Sequence, residues 1–189
     1  MKTETSPAVQ ASLRYDQMTV ALHWLTAGLV ILQFGLAELW GFFPRPAHRL
    51  MVLGHMSFGL VLAAVFATRI IWRLPSHRTH FNDGPDLMAL LARLMHRTLY
   101  VLLAAEIVLG VATRWTDNHP LSFFGLLIAS PFGTFSRATG HFVDQIHDWN
   151  AWVIIVLAGA HAAVALLHHF VLRDGVLGRM AFRSGKAAE

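Results

Sequence analysis

The sequence contains no cysteine. That absence excludes disulfides, cysteine-held iron–sulfur clusters and covalent haem attachment through a Cys-x-x-Cys-His motif. Charge is scarce as well: Asp, Glu, Lys and Arg make up 14% of the 189 residues. With 55% apolar residues and a mean hydropathy of +0.49, the composition excludes an ordinary water-soluble domain and points to a bilayer as solvent. The net charge of +4 does not indicate nucleic acid. The basic residues sit at the ends of apolar runs, where membrane topology and anionic lipid account for them.

What the chain does have is long apolar runs. A bilayer's hydrocarbon core is about 30 Å thick, so a spanning helix needs about 20 mostly apolar residues. Four runs reach that length: about Met18 to Gly41, Met51 to Trp72, Leu87 to Ala112, and about His147 to Leu172. They predict an all-α integral membrane four-helix bundle, with residues 1–189 as one domain. The first run is too long for a secretory signal, follows a mixed-charge stretch (Lys2, Glu4, Arg14, Asp16) and has no clear small-residue cleavage site, so it is read as retained. Lys2, Arg14, Arg69, Arg73, Arg78, Arg93, Arg97, Arg173, Arg179, Arg183 and Lys186 fall on one side of the membrane, against Arg45, Arg49, Arg114 and Arg137 on the other. The positive-inside bias then puts both termini in the cytoplasm.

The connections are of three kinds. Phe42 to Pro46 is a short outer turn stopped by its prolines. Residues 74–86 form a polar cytoplasmic link. From about Thr113 to Gly140 a longer outer segment holds the apolar run Phe123 to Ile128, expected to lie on the membrane surface as a short amphipathic helix.

Histidine is abundant, with twelve in the chain. His48, His77, His80, His119 and His141 fall in the predicted loops and read as solvated side chains. His23, His55, His96, His147 and His161 fall inside apolar runs, where an ionisable group is costly and normally faces a partner or a cofactor. His147 and His161 are 14 residues apart, close to four helical turns. They share a helix face about 21 Å apart, a spacing that suits two stacked metal centres. Each centre needs a second ligand at matching depth. His55 lies near the outer face with His147, and His23 near the inner face with His161, so two b-type haems bound non-covalently are the expectation. His96, beside Arg93 and Arg97, is a rival inner ligand; that basic group could instead pair with haem propionates or frame a substrate pocket. Gly28, Gly54 and Gly59 leave room for a flat porphyrin or serve plain helix packing. His168 returns to nearly the same face as His161 and could hand protons to a quinone or simply snorkel to water. Glu106, in mid helix, is read as protonated or paired, with no partner named by the sequence.

Beyond spacing, Arg14-Tyr15-Asp16, Leu22-His23-Trp24, the stretch Gly41 to Arg45, His55, His147 and the run from His161 to His169 resemble the bacterial cytochrome b561 family, whose relatives include cytochrome subunits of hydrogenases and formate dehydrogenases. The resemblance covers about Arg14 to Arg183. It implies two bis-histidine b haems, the outer held by helices two and four and the inner by helices one and four, in a multi-pass protein of the bacterial inner membrane. One member of that family passes electrons from superoxide to ubiquinone. Helix three departs from the pattern at Ala105-Glu106-Ile107-Val108, where an apolar stretch often containing proline is expected.

Three functions follow. The first is a membrane oxidoreductase that oxidises superoxide, drawn in by Arg45, Arg49, Arg114 and Arg137, and reduces ubiquinone. The second is an electron-carrying subunit that docks a redox partner protein and has no substrate of its own. The third is a histidine-lined transporter of zinc or copper; the scarcity of intramembrane carboxylates and the separation of the histidines into two depths stand against it.

Overall fold

The computed structural model describes residues 15–73, 87–173, 175 and 177–181. The 74–86 link with Arg78, Arg14, and the terminal charges Lys2, Arg183 and Lys186 used in the topology argument lie outside the described residues, as do His77 and His80. Four helices carry the fold: α1 Gln17–Leu39, α2 Arg45–Arg73, α3 Leu87–Thr116 and α4 Arg137–Leu167. A 3-10 turn Trp40–Phe42 follows α1, a π-helical turn His168–Leu172 extends α4, and a 3-10 turn Leu177–Met180 comes last. All four helices are long and apolar enough to cross a membrane.

Local chemistry sets the helix ends. Asp16 caps α1: its carboxylate accepts from Thr19 N at 2.9 Å and from the Thr19 hydroxyl at 2.6 Å. The same carboxylate accepts from Trp72 Nε1 at 3.2 Å, tying the start of α1 to the end of α2. Pro46 sits in the first turn of α2, where a missing N–H breaks no helical bond. At the end of α3, Asn118 takes a left-handed conformation (φ 60°). His119 N then donates to Arg114 O and Asn118 N to Trp115 O, the paired bonds of a Schellman cap. Ser136 caps α4 by accepting from Thr139 N.

Two of these ends shift the boundaries expected from hydropathy. α4 begins at Arg137, ten residues before the apolar run, because the Ser136 cap starts the helix in polar sequence. α2 likewise begins at Arg45. His141 and His48 are therefore helical residues and not loop residues.

The segment after α3 is also different from expectation. The run Phe123 to Ile128 forms no amphipathic helix. It closes a two-stranded antiparallel hairpin, β1 Leu121–Phe123 with β2 Leu126–Ile128, pairing Phe123 with Leu126. The two loop residues, Phe124 (φ 47°) and Gly125 (φ 95°), both have positive φ, as a tight hairpin turn requires. Phe124 N donates to Ser57 Oγ at 2.9 Å, which pins the hairpin to α2 two residues past His55.

Helix packing is uneven. α1 packs chiefly on α2 and α3 on α4, while contacts between the two pairs are few. Leu29, Leu62, Phe66 and Leu103 form the buried cluster in mid bundle, with Tyr100 and Ile107 against it. Apolar side chains also face outward, Ile31 being 68% exposed, Val108 67% and Val156 64%. In a bilayer those faces meet lipid tails.

Burial opposes ionisation of Asp16, but the hydrogen bonds from Thr19 and Trp72 outweigh it and hold the carboxyl below its ordinary value. A carboxyl lowered in the folded state stabilises the fold above the ordinary value and loses that stabilisation as pH falls through the lowered one. Asp16→Ala is expected to cost about 1 kcal/mol, the usual loss on removing an N-cap. A thermal melt in detergent near neutral pH should show the lowered midpoint, and the gap to wild type should narrow in acid.

Candidate functional site

Glu38, His48, Arg114 and Asp144 line one cavity, so the end of α1, the start of α2, the end of α3 and the start of α4 meet at one end of the bundle. Leu121 of the hairpin lines it too, and this is called the hairpin end. At the opposite, terminal end, Tyr15 N bonds Arg179 O and Trp24 Nε1 donates to Met180 O at 2.9 Å.

Histidines gather at two levels. Toward the hairpin end, His55 on α2 faces His147 on α4, with ring centroids 6.3 Å apart and planes at 85°. Toward the terminal end, His23 on α1 faces His161 on α4, at 6.5 Å and 75°. His96 on α3 also reaches His161, with centroids 5.1 Å apart. A metal–imidazole bond of about 2 Å, plus about 1 Å from nitrogen to ring centre on each side, puts two axial imidazole centroids about 6 Å apart. The first two pairs have that separation. His96 and His161 stand too close for a metal between them on that axis.

At the hairpin end the cavity has a volume of about 590 Å³ and opens between the helix pairs. His55 Nδ1 lies 3.1 Å from Gln33 O. A carbonyl only accepts, so Nδ1 carries the proton and Nε2 keeps its lone pair. Gln33 Nε2 returns a bond of 2.9 Å to His55 O, locking α1 to α2 at this level. The space at Gly59 is taken by that amide: a Cβ there would stand 2.8 Å from Gln33 Nε2. Gly59 therefore accommodates Gln33 while also lining the cavity, and Gly28 faces open space. His48 is no solvated loop residue; it lines the cavity, half-buried, with Nδ1 3.1 Å from Trp40 O.

His147 stands against α3. Its Nδ1 is 3.1 Å from Glu106 Oε1, close enough for an ion pair but off the line a hydrogen bond prefers. Glu106 has a second partner, since Asn150 Nδ2 donates to Oε2 at 2.7 Å and to Leu102 O at 3.0 Å.

At the terminal end, Arg69 Nη2 lies 3.1 Å from His23 Nδ1. An arginine only donates, so here Nδ1 accepts. The guanidinium groups of Arg69 and Arg73 stand 5.2 and 5.8 Å from the centre of the Tyr100 ring, in cation–π contact. Arg93 is exposed on α3 one turn before His96, and His168 opens the π-helical turn, half-buried. Arg45 and Arg49 are exposed in the first turns of α2. Glu38, Asp117, Asp144 and Asp148 share the cavity lining with Arg114, so its mouth carries more acid than base. Among the described residues, no three His, Asp or Glu side chains gather as a metal-ion site.

Sequence reasoning passed over Gln33 and Asn150 and counted Arg69 only as a topological charge. The signal was the one used for the histidines: each is a polar side chain inside an apolar run, where it must find a partner.

Residues 14–183 match the family model described as prokaryotic cytochrome b561. The chain belongs to that family. It is 32% identical to cytochrome b561 homolog 2 of Escherichia coli (strain K12), over 90% of this chain and 93% of that protein. It is 30% identical to the probable superoxide oxidase CybB of Yersinia pestis, over 88% and 95%. Cytochrome b561 homolog 1 of Escherichia coli (strain K12) is 31% identical over 88% and 96%. Membership makes the chain a multi-pass bacterial membrane protein of electron transport that binds b-type haem. The residues present fit such a group: imidazole pairs at axial separation, a cavity between helix pairs, and no cysteine for covalent attachment.

Gly59→Val should drive the Gln33 amide from its place and break its bond to His55 O. A lower melting temperature together with less b-type haem retained through purification is the expected outcome.

Proposed function

We propose that the chain carries electrons across the bacterial inner membrane through two b haems, one held by His55 and His147 and the other by His23 and His161. The observation that carries this reading is the pair of ring separations, 6.3 and 6.5 Å, on one helix face about 21 Å apart. A haem held between two imidazoles supplies one-electron transfer and leaves no open position for a substrate on iron. His96, too near His161 to share a metal with it, takes a flanking role with Arg93 near the inner haem's propionates. Arg69 must release His23 Nδ1 for Nε2 to serve as ligand, because a neutral imidazole keeps its proton on one nitrogen.

The termini are assigned to the cytoplasm, which makes the hairpin end the outer one. There the proposed donor is superoxide: two anions each lose one electron and leave as dioxygen. At the inner end ubiquinone takes two electrons and two protons and becomes ubiquinol, with His168 as the proposed proton donor. The relative named as a probable superoxide oxidase supports this choice of donor, and the exposed Arg45 and Arg49 supply positive charge at the rim.

The acidic cavity lining favours a second reading. Glu38, Asp117, Asp144 and Asp148 repel a small anion and suit a redox partner protein with a basic face, for which this chain would be the membrane subunit.

Pyridine haemochrome spectra with a protein assay test the wiring: about two b haems per chain are expected, with a different one lost in His55→Ala and in His161→Ala. A purified protein that carries no haem when haem is plentiful would sink the reading. Stopped-flow reduction by superoxide then separates the donors. Steering by arginine predicts a rate that falls with salt, and roughly tenfold at low salt when Arg45 and Arg49 both become glutamine. A protein inert to superoxide but reduced by a basic redox protein supports the second reading.

A further inference from the structure

α3 presents two residues, one turn apart, to the His147 ring. Glu106 brings a carboxylate oxygen to 3.1 Å from Nδ1. Gly110, four residues on, leaves the ring its space, since a Cβ there would stand 3.2 Å from His147 Cε1. The carboxylate is itself held: Asn150, three residues after His147 on α4, donates to Glu106 Oε2 and to Leu102 O, so one amide bridges the two helices. His147 Nδ1 is left as a buried polar atom without a bond of good geometry, facing a carboxylate that can accept its proton. Because the χ2 torsion of histidine is soft, a small turn of the ring closes that bond without moving a helix.

We propose that Glu106 is a positioning residue for His147: pinned by Asn150, its carboxylate accepts a hydrogen bond from Nδ1–H, fixes the ring's tautomer and plane, and makes Nε2 a more basic ligand. This rests on the reading of His147 as an axial ligand. Histidines that bind metals commonly give their other N–H to a carboxylate or carbonyl, which orients the ring and raises its basicity. The two ligands of this level then differ, as His55 Nδ1–H donates to the neutral carbonyl of Gln33. A more basic imidazole favours ferric over ferrous iron, so Glu106 holds the hairpin-end haem at a lower potential than Gln33-type support alone.

The test is a spectroelectrochemical titration of the purified holoprotein in wild type, Glu106→Gln, Glu106→Asp and Asn150→Ala, with His147→Ala as reference. In Glu106→Gln one haem should become easier to reduce by about tenfold in its ferrous-to-ferric ratio, which is about 59 mV for one electron. The other haem should stay where it was. Glu106→Asp should restore most of the difference, and Asn150→Ala, which keeps the carboxylate but frees it, should move the same haem by a smaller factor. The low-spin ferric EPR signal of that haem, which reports the angle between its imidazole planes, should broaden in the glutamine variant and recover in the aspartate one. Unchanged potentials in Glu106→Gln and Asn150→Ala, with one haem lost in His147→Ala, would overturn the role of Glu106 and leave the haem wiring intact. Two haems retained in His147→Ala would overturn both. If Glu106→Gln does not assemble, an unmoved potential in Asn150→Ala suffices to reject the proposal.

Discussion

Hydrocarbon cannot solvate an imidazole, and the rest of this structure follows from that constraint. A histidine inside an apolar helix turns inward and meets a partner there or pays for its polarity. Five such residues on four helices force the faces that carry them toward one seam, and the apolar side chains are left to the outside, where Ile31, Val108 and Val156 meet lipid. The bundle is consequently built as two close pairs, α1 with α2 and α3 with α4, set apart along the surface that holds the rings. The mid-bundle cluster of Leu29, Leu62, Phe66 and Leu103 closes the core where no imidazole lies.

Three of the imidazoles at these two levels are met by a different second group, and each group comes from another helix. Gln33 of α1 reaches His55 of α2, Glu106 of α3 reaches His147 of α4, and Arg69 of α2 reaches His23 of α1. Supporting contacts thus run within the tight pairs, and the His55–His147 and His23–His161 ring contacts run between them. The arrangement divides labour: the close pairs hold the rings in orientation, while the seam between the pairs is looser. The three supports also differ in charge, an amide and carbonyl, a carboxylate and a guanidinium, so the two histidine levels are chemically unequal.

Much of this could be read from the residues alone, because length and periodicity are simple in a membrane. Apolar runs gave the number of helices, and the fourteen-residue interval on α4 put His147 and His161 on one face. The end of α2 and the start of α3 fell where hydropathy put them. The start of α4 did not, since a cap at Ser136 is a matter of one hydroxyl and a polar first turn extends a helix without raising hydropathy. The hairpin was missed for a related reason. Its apolar residues carry no helical period, and the decisive feature is backbone: positive φ at Phe124 and Gly125 and one bond to Ser57. Gln33, Asn150 and the partner of Glu106 needed three dimensions, because a sequence says that a buried polar group must be satisfied but not by whom.

His147 and His161 ride on one continuous helix, and this makes α4 a ruler. Its rise sets the interval between the two levels whatever the other three helices do, and electron tunnelling falls off steeply with distance. The same rigidity restricts how the gene can change. One residue added or removed between the two histidines turns one ring by about 100° relative to the other and moves it about 1.5 Å along the axis. Substitutions on the lipid face of this stretch are cheap, but its length is frozen, so divergent members of such a lineage should differ in the residues between these histidines far more readily than in their number.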